Sequence, residues 1–488
     1  MKLSKFRRLA GIVGAAAVTA ACTASPQHAS PPTASGSTAT PSAQASGSLT
    51  TPGGQLWFSR YDGQTGSYPV PAAIAASPDG SAVFVTGTSG GRHKVHLGYV
   101  TVGYDPATGR QLWVRRYIGP DKSGHGAAGI VVSPDGRIVF VTGTSTLRKT
   151  GYAFATIAYS ASTGRRLWLR QYDGPGDYAY ASALAVSPDG ATVIVTGVTG
   201  GEYGPQANDA YTTIAYDAAT GVQRWISRLT GPAHGNNQAR NIAISPDSST
   251  VYVTGRSYSP TSKYDDLTVA YKAASGAQRW ASRYNGPANG NDFANAVAVA
   301  PDGKSVYVTG GSRGESSMPG ITPVFATTIA YNAASGARRW VARSSGGGTG
   351  GSLAVTPDGR SVIVAGPGIG IGQNAYSAVV YNAATGEAAW THRVLELTCC
   401  GILSSQTLAV SPDSGTIYIT GSPAGNCCES GTVAYAVATG KRLWQSVYDG
   451  PGNRFDWVGM LALSPGGSTV YVTGRMNSGG VATIAYRT

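Results

Sequence analysis

Ser77-Pro78-Asp79-Gly80, followed at once by the apolar run Val83-Phe84-Val85-Thr86-Gly87, is the stretch whose reading decides the fold. The turn recurs at Ser133 to Gly136, Ser187 to Gly190, Ser245 to Ser248, Ala300 to Gly303, Thr356 to Gly359, Ser411 to Ser414 and Ser464 to Gly467. A second marker, Thr/Ser-Gly-x-x-x-Trp, first seen from Thr108 to Trp113, repeats at Trp168, Trp225, Trp280, Trp340, Trp390 and Trp444. Eight copies of a unit of roughly 55 residues therefore fill the chain, and self-similarity at that period means a solenoid, an array or a propeller.

Each copy carries four short runs of β type and no helical periodicity. In the fifth they are Ala294–Val299, Val306–Thr309, Thr327–Tyr331 and Arg339–Arg343. Pro-Asp-Gly joins the first two and Ala-Ser-Gly the last two, both with tight-turn chemistry. Four antiparallel strands repeated eight times predict an all-β chain: an eight-bladed β-propeller of four-stranded antiparallel blades. Closure into a ring also removes the two open edges that a flat array would leave.

The chain ends predict how the ring closes. The last copy stops at Thr483-Ile484-Ala485-Tyr486, one strand short, and the missing tryptophan strand stands at the front as Gly53-Gly54-Gln55-Leu56-Trp57. Gln55–Arg60 is expected to pair with Ala482–Tyr486 in a composite last blade.

Composition agrees with packed sheet and turns: glycine is 68 of 488 residues and charged residues are 12%. The formal charge is +13; setting aside Lys2, Lys5, Arg7 and Arg8 leaves 33 basic against 24 acidic residues, or +9. No Lys/Arg run exceeds two residues, which argues against nucleic acid as a partner.

Three segments are expected. Residues 1–21 combine a basic start with a short apolar stretch and read as a signal peptide. Thr19-Ala20-Ala21-Cys22 resembles a bacterial lipobox, which implies lipidation of Cys22 and a cell-membrane, extracytoplasmic location. Residues 23–52 are rich in Ser, Thr, Ala, Pro and Gly, too poor in apolar surface to fold, and form a tether spanning about 30 Å. Residues 53–488 are the propeller.

Tyr216-Asp217-Ala218-Ala219-Thr220-Gly221 followed by Trp225 resembles the repeat of pyrroloquinoline quinone (PQQ) enzymes and their non-catalytic relatives. Arg283-Tyr284-Asn285-Gly286-Pro287 and Tyr307-Val308-Thr309-Gly310 are also similar to the SBBP-type bacterial propeller repeat. The resemblance implies that Trp57, Trp113, Trp168, Trp225, Trp280, Trp340, Trp390 and Trp444 dock between neighbouring blades. It covers most of the chain but does not fix an activity, because propellers host enzymes, binders and scaffolds.

Strand direction sorts the connections onto two faces. The Pro-Asp-Gly and Thr-Gly turns share one face and are short. The other carries the variable segments, such as Gly231–Ala239, Gly286–Phe293, Ser257–Asp266 and Gly311–Val324, and sites on rigid scaffolds concentrate in such loops. Seven residues before each turn serine stand Val70, Gly126, Tyr180, Gln238, Phe293, Thr349, Ser404 and Trp457, where the innermost strands begin. Tyr180, Gln238, Phe293 and Trp457, with Asp177, Asp292, Arg454 and Asp456, are the candidate ligand-binding set. The competing reading is that these aromatics only cap the core between blades.

Quinone chemistry would need a catalytic carboxylate and Ca²⁺ held by oxygen donors. Adjacent cysteine pairs occur in that enzyme family, and this chain has two, Cys399-Cys400 and Cys427-Cys428. Both lie in the seventh copy, not near the start of the propeller as the resemblance would suggest. No catalytic residue set, metal-ligand spacing or Cys-x-x-Cys-His haem motif stands out. Bonding between adjacent cysteines must close across Cα atoms about 3.8 Å apart, below the usual disulfide range of about 4.4–6.8 Å. The expectation is two disulfides tying the 399–400 loop to the 427–428 loop.

The chain thus reads as a surface-tethered, monomeric propeller that binds a protein or glycan partner, with no cofactor and no catalysis of its own. By resemblance, its nearest analogues are lipoproteins that scaffold envelope assembly. The alternatives are a PQQ- or metal-dependent oxidoreductase and, third, a polysaccharide-active enzyme using Asp177, Asp292 and Asp456.

Overall fold

A computed structural model describes residues 51–488 except 64–67, 91–97, 121–125, 148–150, 177, 201–208, 232–234, 315–322, 345–347, 370–375, 395–406, 422–428, 450–456 and 477–478. Eight four-stranded antiparallel sheets follow one another, each strand pairing with the next in sequence. Blades are numbered from Val70. Blade four holds the strands Gln238–Ile244, Thr250–Ser259, Lys263–Lys272 and Gln278–Tyr284. Blade five holds Asp292–Val299, Ser305–Arg313, Val324–Asn332 and Arg338–Arg343. The first strand of each blade packs against the first strands of its neighbours, so these strands line the central axis.

Blade eight is built from both chain ends. Gln55–Tyr61 lies antiparallel to Val481–Arg487, with Trp57 opposite Ala485 and Tyr61 opposite Val481. This is the pairing expected from the sequence, one residue longer.

Local chemistry explains the monotonous face. In the first turn Gly80 N donates to Ser77 O at 2.9 Å and Ser81 N to Asp79 Oδ1 at 3.0 Å, with Gly80 at φ +72°. The Ser77 hydroxyl, which donates to Asp79 Oδ1, and then Ser81 hold the Asp79 carboxyl below the usual carboxylate range. Blades four and seven put serine in the left-handed position, Ser248 at φ 61° and Ser414 at φ 64°. Each serine oxygen accepts the backbone amide of an aspartate in the preceding blade's turn: Asp189 N to Ser248 Oγ at 3.1 Å and Asp358 N to Ser414 Oγ at 3.0 Å. Interblade bonding thus offsets the strain of a side chain where glycine is preferred.

The tryptophans of the outer strands stitch blade to blade. Seven indoles, from Trp57 to Trp390, donate Nε1–H to a carbonyl in the next blade's last turn at 2.6 to 3.0 Å. The indole lies flat against that turn's glycine: a Cβ on Gly336, at φ +71°, would stand 2.6 Å from Trp280. The next blade's tyrosine closes the pocket, as Tyr331 does 6.1 Å from Trp280. A tyrosine holds this place in all eight blades (Tyr104, Tyr159, Tyr216, Tyr271, Tyr331, Tyr381, Tyr435 and Tyr486), so the apolar core repeats at every interface. Trp444, in blade seven, packs against Gly53 across the splice.

One expectation is corrected. Residues 257–266 are not an irregular loop: Ser257, Tyr258 and Ser259 pair with Asp265, Tyr264 and Lys263, extending the sheet of blade four into a projecting hairpin. Tyr258 and Tyr264 meet edge to face at 5.7 Å, and Lys263 at φ 67° makes the reversal. Cross-strand aromatic pairing of this kind steadies the hairpin, whose other face buries Ser257, Ser262 and Asp265. In blade five the two middle strands likewise extend beyond the expected limits, to 305–313 and 324–332.

Candidate binding site on the variable face

The innermost strands share a device invisible in the sequence. In blades one to five and eight the ladder slips by one residue two positions into the first strand, for example between Ala239 and Asn241. A β-bulge leaves one residue unpaired and re-aims its side chain. The bulged residues are Ala72, Ala128, Ser182, Arg240, Asn295 and Gly459. Among these six, only blades four and five place a long polar side chain there.

Those two side chains meet. Arg240 Nη1 donates to Asn295 Oδ1 at 2.5 Å, and Asn295 Nδ2 donates to Gly350 O at 2.8 Å, linking blades four, five and six around the axis. The guanidinium of Arg240 also lies over the Phe293 ring, 5.1 Å from its centre. Arg256, opposite Gln238 in the ladder, lies over Tyr264 at 4.7 Å. Burial lowers the Arg240 pKa to about 10, and the neighbouring Arg256 charge adds to that. Among the described residues no carboxylate forms an ion pair with either arginine.

Carboxyls surround this pair without neutralising it. Asp209, buried at the end of blade three, is pushed up to about 6 by desolvation, against the pull of Arg256. Asp266 stands where blades two, three and six put Phe154, Tyr211 and Tyr376 and blade five puts Ala326. Among the described residues its carboxyl takes long hydrogen bonds, 3.5 Å, from Thr254 and Thr268, and desolvation first, then Asp292, raises its pKa to about 8. Asp265 is bound by Arg283 at 3.4 Å and by Ser262 Oγ at 2.6 Å. Asn237 ties the loops together, accepting from Ser257 Oγ at 2.6 Å and donating to Asp209 O at 2.7 Å.

The residues expected from the sequence divide as follows. Tyr180 lies 4.8 Å from Tyr152 and 4.4 Å from Tyr178, in an aromatic cluster on blades two and three. Gln238 and Phe293 stand beside Arg256 and Arg240 at the variable face. Asp292 is 1% exposed, and its Oδ2 accepts Gly286 N at 2.7 Å; this carboxyl shapes its own loop. Trp457 begins the first strand of blade eight, and nothing more of its side chain is described. Asp177, Arg454, Asp456, Cys22, Cys399, Cys400, Cys427 and Cys428 lie outside the described residues.

Sequence reading missed Arg240, Arg256, Asn295 and Asp266. The signal was departure from the repeat: aligned on the turns, Arg240 and Asn295 stand where five other copies have Ala72, Ala128, Ser182, Gly351 and Gly459, and Asp266 stands where four copies have Tyr99, Phe154, Tyr211 and Tyr376. No group of three or more His, Cys, Asp or Glu converges as a metal site among the described residues. Asp265 is paired with Arg283, and Asp292 Oδ2 accepts Gly286 N while its Oδ1 is buried without a partner.

Comparison with known proteins follows the architecture. Residues 96–314, and again 263–477, match the family described as outer membrane protein assembly factor BamB. The chain belongs to that family. Among solved structures it is similar to Sqt1 from Chaetomium thermophilum, at 12% identity and TM-score 0.58, covering 89% of this chain and 98% of that one. The Dos1 propeller is similar at 11% identity and TM-score 0.55, covering 88% and 94%. A quinohemoprotein alcohol dehydrogenase from Pseudomonas putida HK5 is similar at 13% and TM-score 0.52, covering 89% and 76%. At such identities these likenesses concern the fold alone, and they include an enzyme. No curated protein sequence matches the chain.

Proposed function

We propose that the protein is a binding scaffold, tethered outside a membrane through Cys22, that presents the variable face of its ring to a protein partner and has no catalysis of its own. The observation that carries this reading is membership of a family described as an assembly factor. The asymmetry of the ring agrees with it. One face is a repeated set of short turns, while the other carries blade-specific additions such as the 257–266 hairpin and the Arg240–Asn295 link. A propeller of similar fold, Sqt1, is described bound to the N-terminus of ribosomal protein L10, so the architecture can hold a peptide.

A photo-crosslinking residue at Gln238 should yield a protein adduct in the producing cell, while the same residue at Asp135, on the opposite face, should yield none. Purified protein supplied with PQQ and Ca²⁺ should reduce no dye with alcohols, aldoses or aldehydes. Chelator-sensitive turnover, or equal adducts from both faces, would replace the scaffold by the oxidoreductase or by a non-specific surface. Cys22→Ser should move the protein from the membrane fraction to the medium, because a tether without lipid has no hold on the bilayer; retention would mean another anchor.

A further inference from the structure

The geometry points to a carboxylate-binding subsite, built by Arg240 and Arg256 with Gln238, Asn295, Phe293 and Tyr264, that takes an acidic segment of a protein partner. The inference rests on the scaffold reading and names the chemistry of what the scaffold holds.

Three observations converge. First, the two guanidinium groups are near enough for the charge of one to disfavour the other, yet among the described residues neither has a carboxylate at ion-pair distance. Partly buried like charges repel, and an anion between them would relieve that repulsion while making charge-assisted bonds. Arg240 spends one donor on Asn295 Oδ1, and Arg256 Nε is buried with no partner. Donors thus remain for an incoming group.

Second, the pair is fixed before any ligand arrives. Asn295 is anchored to Gly350 O and in turn holds Arg240, while Phe293 and Tyr264 each lie under one guanidinium face. A guanidinium packed on a ring keeps its fork of donors, which matches a carboxylate, at a fixed place. Little side-chain freedom is left to lose on binding.

Third, among the described blades only blade four puts arginine at both positions. At the bulge the other described blades carry Ala72, Ala128, Ser182 and Gly459. Aligned with Arg256, blades one, two, three and five carry Thr88, Thr144, Val198 and Gly311, and blade eight carries Arg475 without an arginine at its bulge. Packing of the ring does not require arginine at the bulge, where these other blades close around small residues. Rings and amides flank the pair, which favours a peptide carrying Asp or Glu over a bare inorganic anion. Asp209 and Asp266 lie nearby, and desolvation raises the pKa of both, which favours their neutral forms.

The test uses the full chain and a fluorescein-labelled hexaglutamate peptide, followed by anisotropy at low salt, with a hexaglutamine peptide, inorganic phosphate and PQQ as the other probes. The hexaglutamate peptide should bind and the hexaglutamine peptide should not. Arg240→Gln with Arg256→Gln should weaken binding by about tenfold or more, as expected for loss of charge-assisted bonds. Arg165→Gln with Arg166→Gln, which removes the same charge from an outer strand, should change it by less than about twofold. Arg256→Gln alone, which breaks no hydrogen bond of the fold, serves if the double variant melts early. Equal losses in both double variants would reduce the effect to net charge and overturn the subsite. Phosphate or PQQ binding at these arginines without peptide binding would overturn the acidic-peptide assignment. Loss of peptide binding with an unchanged Gln238 crosslink would leave the scaffold standing with its partner seated elsewhere, whereas loss of the crosslink in the wild type would remove the scaffold itself.

Discussion

The amide of Gly53 donates to the carbonyl of Arg487 at 2.8 Å, and the amide of Arg487 returns the bond to Gly54 O at 2.9 Å. Blade one makes the same two bonds within one turn, from Gly109 N to Asp105 O and from Asp105 N to Arg110 O. The tryptophan-docking turn of blade eight is therefore cut open and rebuilt from the two chain ends. Gly53 keeps the left-handed φ, +80°, of the glycines it replaces, and Ser446 Oγ donates to its carbonyl as Ser282 Oγ does to Gly336.

Closure of this kind predicts a sharp boundary in truncation. Removing residues 23–52 should leave the melting temperature nearly unchanged. Removing residues 23–61 should lower it steeply, because it deletes an edge strand and the Trp57 indole; burial of an aromatic that size is worth about 3–5 kcal/mol. Equal melting of the two truncations, read by circular dichroism, would mean that the ring holds without the shared blade.

The indole pockets separate backbone strain from steric clash. Gly80→Ala should cost only the left-handed penalty, about 1–2 kcal/mol, since nothing stands within 4 Å of its Cβ. Gly336→Ala pays that penalty and also drives a methyl into Trp280, so it should cost clearly more. Denaturant titration of the two variants checks the order, and Trp280→Ala should fall near the Gly336 variant or below it.

Asp266 gives stability a pH slope of defined sign. Its pKa rises from 3.8 to about 8 on folding, so the folded chain binds more protons than the unfolded chain between those values. Stability from this group is complete below pH 3.8 and is lost as pH rises toward 8. Asp209 and Asp292, both raised by desolvation, act in the same direction. Asp266→Asn cannot ionise. Its melting temperature should gain on the wild type between pH 5 and pH 8, and a constant difference across that range would show that Asp266 does not titrate there.

The four cysteines of the seventh copy are expected to form two disulfides between the 399–400 and 427–428 segments. Non-reducing peptide mapping should recover the two segments linked to each other. Recovery of each adjacent pair as its own closed ring would overturn the staple and strengthen the oxidoreductase alternative.

Much of this architecture was legible from residues that act locally. Ser-Pro-Asp-Gly and Thr-Gly-x-x-x-Trp specify turns and a strand over a few residues, and eight repetitions leave only a ring. Even closure could be read, because Trp57 stood without its blade and blade eight without its tryptophan. The site was less legible. Gln238 and Phe293 were found because they sit at a fixed offset from a turn, but the same offset gave no account of Arg240, two residues further on. Strand alternation alone does not aim Arg240 and Asn295 at each other; the bulge between Ala239 and Asn241 does, by shifting the ladder one residue.

The sequence by itself determined the blade, its number and the splice between its ends, since each follows from short-range turn chemistry and from counting. Tertiary structure alone decided which side chains meet. Asp292 turned inward to hold Gly286 N, Asp266 lost its water, and two arginines from different strands came to share one neighbourhood. Such outcomes depend on bulges and on the packing of one blade against the next, and these forces act between residues that the chain keeps far apart.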